Sequence, residues 1–99
     1  MTGERFLIFI FICFTHACIF MTGVYSSQDA GRLNAKGHRL FVNGEYGKAE
    51  GYFKQAIKIN PTVKYFHNNL SVVYMNQGRY DRAYDQLKIA IALDEKYVK

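Results

Sequence analysis

The chain has 99 residues, 49 % of them hydrophobic, and a formal net charge of +5. That length allows one small domain with a single core. Two cysteines and three histidines leave thin material for a disulfide scaffold, a metal centre or thiol catalysis.

The first quarter of the chain stands apart from the rest. Met1 to Arg5 is polar, Phe6 to Met21 is almost continuously apolar, and Thr22 to Gln28 turns small and polar. This is the order of regions in a secretory signal peptide, with Ser26 as the candidate cleavage position and Val24 two residues before it. Phe6 to Tyr25 is also long enough to span a bilayer. Residues 1–26 are therefore expected to be a signal peptide or a membrane anchor. In the anchor case Arg32, Lys36 and Arg39 favour keeping the following residues on the cytoplasmic side. A lipid anchor on Cys18 is a third reading, weakened by Thr15 and His16 before it and by apolar sequence after it. The expected localisation is thus exported, secreted or periplasmic after cleavage, or else membrane-anchored through residues 6–25. Cys13 and Cys18 both fall in this segment, so a mature chain starting near Ser27 has no thiol chemistry.

From Ser27 onward the apolar spacing is helical. Leu33, Gly37, Leu40 and Phe41 share a face of a first helix, predicted over Gln28 to Val42. Asn43-Gly44 supplies a turn, since glycine takes a positive φ without steric cost. Tyr46, Ala49, Phe53, Ala56, Ile57 and Ile59 stripe a second helix, which Pro61 ends for want of an amide donor. Thr62 is the expected N-cap of a third helix over Val63 to Asn76, carrying Phe66, Leu70, Val73 and Tyr74. Gly78 breaks it, and a fourth helix is predicted over Tyr80 to Leu93. The small residues Gly37, Ala49, Ala56, Ser71, Ala83 and Ala90 let helix axes approach, with Phe53, Tyr74 and Leu87 filling the space between.

These elements repeat. A shift of 34 residues places 30–63 on 64–97, and Asn34, Gly44, Tyr46, Ala49, Lys54, Ala56 and Ile57 meet Asn68, Gly78, Tyr80, Ala83, Lys88, Ala90 and Ile91. Such a period marks stacked units, each too small to bury its own apolar face. The first unit reads Leu33-x2-Lys36-Gly37-x2-Leu40, then Ala49-x3-Phe53, Ala56 and Pro61; the second reads His67-x2-Leu70-Ser71-x2-Tyr74, then Ala83-x3-Leu87 and Ala90. In these residues the chain resembles the tetratricopeptide repeat family. It departs from the family pattern at Lys36, His67 and Glu95, where leucine, a large residue and proline are usual. The resemblance implies an all-α right-handed stack of two helical hairpins over residues 27–99, behind the signal or anchor segment. Lys36 fits an array end: Arg32, Lys36 and Arg39 lie on one helix face, and a charged stripe keeps an end soluble.

Catalysis has little to stand on. Beyond the apolar segment only His38 and His67 remain, with no cysteine, no paired-histidine metal motif and no glycine-rich phosphate loop. Asp81 and Asp85 sit beside Arg82 and Lys88 and read as a solvated ion-pair face. No enzyme activity, cofactor or metal is expected. Nucleic acid is a poor fit, because no nucleic-acid motif accompanies the seven basic against two acidic side chains of residues 30–64. The resemblance instead implies binding of another protein or peptide, with the first helix of each repeat lining a concave groove. The positions carried over are Asn34, His38 and Phe41 in the first repeat and Tyr65, Asn68, Val72 and Met75 in the second. Some family members clamp a partner's terminal carboxylate with Lys, Asn and Arg residues. Asn69 stands at one such position, but Asn34 and His38 occupy the first-repeat positions and no third repeat is read.

The expected function is a small exported or membrane-associated scaffold or assembly factor. The alternative is a membrane-tethered structural subunit whose repeats serve oligomerisation. The fourth helix motivates self-association: Tyr84 replaces Glu50, while Ile89 and Ala92 replace Gln55 and Lys58, leaving apolar side chains on a side that a two-repeat stack exposes. Asp94 to Val98 reads as the opening of a further helix.

Overall fold

The structure, a computed structural model, describes residues 26–95. The signal-peptide, anchor and lipid-anchor readings lie outside the described residues, as do Cys13 and Cys18. Among the described residues no helix is long and apolar enough to cross a membrane. Four helices follow in order: α1 (Ser27–Val42), α2 (Tyr46–Ile59), α3 (Lys64–Asn76) and α4 (Tyr80–Glu95). Each packs on the next along the chain, and α1 also touches α3, which is the pairing of two stacked hairpins.

The helix ends follow from local chemistry. The Ser26 backbone N–H at the start of α1 donates to Asp29 Oδ2 at 2.8 Å, the return half of a capping box. The expected cleavage position is thus also the N-cap of the first helix. Both hairpins turn on a glycine in the left-handed region, Gly44 at φ 81° and Gly78 at φ 75°. At the first turn the Gly44 and Glu45 N–H groups donate to the Phe41 and Leu40 carbonyls, both at 2.9 Å; at the second the Gly78 and Arg79 N–H groups donate to Met75 and Tyr74. This Schellman pattern satisfies the last carbonyls of α1 and α3.

Two expectations at helix ends need correction. Val63, not Thr62, is the N-cap of α3, and the Thr62 hydroxyl donates to Asn60 Oδ1 at 2.9 Å. The hydroxyl thus satisfies a side-chain amide in the connecting loop instead of the first turn. Asp94 and Glu95 do not open a new helix but continue α4, where Asp94 accepts a hydrogen bond from Lys64.

The core lies between the hairpins. Ala49, Phe53, Leu70, Val73, Tyr74 and Ala83 form its larger part, flanked by Leu40, Phe41, Tyr46 and Ile57. Ala30, Ala56 and Phe66 form the smaller part, flanked by Leu33, Ile57, Ile59 and Val63. Gly37 is required where α1 crosses α2. A Cβ there would stand 2.8 Å from the Phe53 ring, closer than packed carbons tolerate. His67 is buried as well: Nδ1 lies 2.8 Å from Gln86 Oε1 and Nε2 2.7 Å from the Pro61 carbonyl. Both ring nitrogens thus lie within hydrogen-bonding distance of a polar group, which ties the inter-hairpin loop to α4 and lets the ring serve the large-residue position of the repeat.

Candidate functional site

The expected groove residues come from α1 and α3, and the structure sorts them by accessibility. Tyr65 is 65 % exposed and Met75 41 % exposed. With exposed Asn68 and half-buried Val72 they occupy one face of α3, at spacings of three, four and three residues. This face offers an aromatic ring, an amide and an adaptable thioether in a row. An extended segment lying along it would find apolar contact at both ends and a hydrogen-bonding group between them.

The α1 residues differ from one another. His38 is exposed on α1. Phe41 is half-buried, stacked at 5.3 Å and 52° against Tyr46 and packed on the larger core cluster. Its ring belongs more to the hairpin interior than to the open face. Asn34 is half-buried, and its Oδ1 accepts from Asn69 Nδ2 at 2.9 Å. That amide bridge joins α1 to α3 across the groove floor, so Asn34 and Asn69 act first on each other.

Three cationic side chains make contacts that bear on the site. Arg79, on the α3–α4 turn, donates to the Glu50 carboxylate of α2 and to Gln77 Oε1 at 3.0 Å, with its guanidinium 4.8 Å from the Tyr74 ring. Lys64 Nζ donates to Asp94 Oδ1 at 2.6 Å and stands 5.3 Å from the Tyr65 ring, at the edge of the face. The hydrogen bond to Asp94 holds the Lys64 ammonium above the usual lysine value. Lys36, in the charged stripe of α1, lies 4.7 Å from the Tyr52 ring. The Arg79–Glu50, Lys64–Asp94 and Lys36–Tyr52 contacts join residues well separated in sequence, so helical periodicity carries no signal for them. Among the described residues no cluster of three or more potential metal ligands is present.

An open groove of about 230 Å³ continues from the α3 face toward α4, lined by Lys64, Tyr65, Asn68, Leu87, Ala90, Ile91 and Asp94. Tyr65 and Asn68 therefore border both the face of α3 and the far end of the stack.

The comparisons with known proteins agree with this geometry. A solved structure described as the first TPR of Spaghetti (RPAP3) bound to the HSP90 peptide SRMEEVD superposes with a TM-score of 0.70 at 25 % identity, over 73 % of this chain and 57 % of that one. Protein O-mannosyl-transferase F38B6.6 of Caenorhabditis elegans is 38 % identical over 57 % of this chain and 8 % of that protein. Human serine/threonine-protein phosphatase 5 is 31 % identical over 73 % of this chain, and the Hsp70-Hsp90 organising protein of Plasmodium falciparum 28 % identical over 75 %. The chain spans 14 % and 29 % of those two relatives' lengths, so the likeness is to their repeat regions and not to the whole proteins. The family model described as tetratricopeptide repeat matches residues 40–97. The tetratricopeptide repeat is a protein-interaction fold, and this chain belongs to that family.

Proposed function

We propose that the chain is a small adaptor that holds an extended segment of a partner protein along the α1–α3 face, exported or tethered to a membrane through residues 1–26. The carrying observation is on α3. A core-directed helix should hide its large apolar residues, yet Tyr65 and Met75 stand in solvent on one face with Asn68 between them. The neighbouring structure of the same fold holds a peptide, which supports a peptide-like ligand for this surface. An acidic terminus of the type in that complex fits this chain less well. The Asn34 amide is engaged with Asn69, and the nearest lysine, Lys64, is paired with Asp94. The segment that suits the face is one with apolar side chains spaced to meet Tyr65 and Met75, held by backbone bonds to Asn68.

The test is to isolate partners with the full chain and then measure their affinity for Tyr65→Ala and Met75→Ala variants. Each change is expected to weaken binding about tenfold while leaving helicity intact. Undiminished binding by both variants would refute the face. Recovery of an intact Met1-to-Lys99 chain from soluble export fractions would refute both cleavage and tethering.

A further inference from the structure

The second helix of each repeat carries the same four-position stripe, and the two stripes meet different fates. On α2 the stripe is Tyr46, Glu50, Phe53 and Ile57; the equivalents on α4 are Tyr80, Tyr84, Leu87 and Ile91. The α2 stripe is covered by the next hairpin. Phe53 packs with Leu70 and Val73, Ile57 joins both core clusters, and Glu50 pairs with Arg79. The α4 stripe is open, with Tyr80 70 %, Tyr84 63 % and Ile91 58 % exposed. Its spacing of four, three and four residues is that of a seam that accepts a second helix alongside. The one anionic position of the α2 stripe, Glu50, has become Tyr84, so this seam is apolar or aromatic throughout.

The groove beside the seam shows what is missing. In the first repeat Ala30, Ala56 and Ile57 are closed by the ring of Phe66. Their second-repeat equivalents are Lys64, Ala90 and Ile91, and these line the open groove of about 230 Å³. It is the same recess without its aromatic plug. One wall now carries the Lys64–Asp94 ion pair, so an incoming ring with a polar tip suits it better than phenylalanine.

The other end of the stack cannot supply the cover. The residues of α3 that seat the second hairpin on the first are Phe66, Leu70 and Val73, all buried; at the same positions α1 carries Arg32, Lys36 and Arg39, all exposed. Head-to-tail stacking would desolvate three cations against an apolar seam, a heavy penalty. Such stacking would also propagate without closing.

We infer that the α4 seam is covered by the α4 seam of a second copy of this chain, antiparallel about a two-fold axis. Antiparallel register pairs Tyr84 with the opposite Leu87, and Tyr80 with the opposite Ile91, beside the unplugged groove. The exposed Tyr80 ring of each copy fills the other's groove, with its hydroxyl near the Lys64–Asp94 pair. The arrangement is isologous and closed, as most soluble dimers are. It also holds the cationic α1 faces at opposite ends, so the two net positive charges stay apart. The alternative occupant, an amphipathic helix of a different protein, would leave the isolated chain monomeric.

The experiment uses the full chain in mild detergent, with Cys13→Ser and Cys18→Ser to remove its own thiols. Tyr84→Cys in that background is expected to form a disulfide-linked dimer on gentle oxidation, because the axis passes close to it. Glu95→Cys is expected to form no disulfide cross-link, since antiparallel packing carries the two helix ends to opposite sides. By sedimentation, Ile91→Glu should raise the dimer dissociation constant about 100-fold and Tyr80→Ala about tenfold, with helicity unchanged. Cross-linking at residue 95 instead of 84 would overturn the antiparallel register. A wild-type chain that sediments as a monomer, or an Ile91→Glu chain that dimerises undiminished, would overturn the proposal.

Discussion

Helices α2 and α4 are built on one pattern, and only α2 is finished. Phe53, Ala56 and Ile57 are enclosed between α1 and α3, whereas Leu87, Ala90 and Ile91 border an open groove. The comparison teaches that a repeat position has no fixed energetic meaning. A leucine-like residue in the second helix is core only when another hairpin lies on it, which is why repeat stability is a sum of units and interfaces.

The strongest way to test that contrast is truncation at equivalent positions. Phe53→Ala removes a fully buried ring and is expected to cost about 3–5 kcal/mol, which consumes much of the stability of a domain this small. Leu87→Ala should cost less than half as much, because the site is already open. Denaturant midpoints compare the two; equal losses would erase the distinction between covered and open helices.

A sharper probe is the crossing point. Gly37→Ala drives a methyl into the Phe53 ring and is expected to cost about 1–3 kcal/mol. Adding Phe53→Leu should return part of that loss. The second repeat already combines Ser71 with Leu87 at these positions, a larger residue facing a smaller one. A double variant no better than Gly37→Ala alone would show that the two sites do not share volume.

Smaller effects follow at the hairpin joint and on the surface. Arg79→Leu leaves the half-buried Glu50 carboxylate with only its longer contact to Lys54 and is expected to lower stability by about 1 kcal/mol, partly restored by Glu50→Gln. Tyr65→Ala and Met75→Ala should each change thermal stability by less than about 0.5 kcal/mol. Phe41→Ala should cost several times more, because its ring packs on Tyr46 and the core. Lys64→Met is expected to lower the melting temperature only slightly at neutral pH, because the pair with Asp94 is solvent-exposed. Its pKa is raised by Asp94, so the wild-type contribution is present below the ordinary lysine value and fades only as pH climbs through the higher folded one.

Much of this architecture was legible in the residues. The two turn glycines, the apolar stripes and the 34-residue period place four helices within a residue or two of their observed ends. The charged Arg32-Lys36-Arg39 stripe reads as an array end, and those residues are exposed. The site was less legible. Phe41 and Tyr65 look alike as groove aromatics, but Phe41 is drawn inward by Tyr46, a residue across the turn. The Asn34–Asn69 bridge and the Glu50–Arg79 pair join residues on different hairpins, which no local pattern encodes. In the sequence of α4, Tyr84, Ile89 and Ala92 read as one apolar group. All three are exposed, but Tyr84 runs in a seam with Tyr80, Leu87 and Ile91 on a different side from Ile89. That seam was available as a four-three-four spacing. It does not stand out beside α2, because Tyr46, Phe53 and Ile57 are hydrophobic too.

The most direct measurement is amide hydrogen exchange of the full chain across a hundredfold range of concentration. The account predicts that α2 amides stay protected throughout, while α4 amides exchange faster in dilute samples and gain protection as copies associate. Protection of α4 equal to that of α2 at the lowest concentration, and unchanged on concentrating, would contradict it.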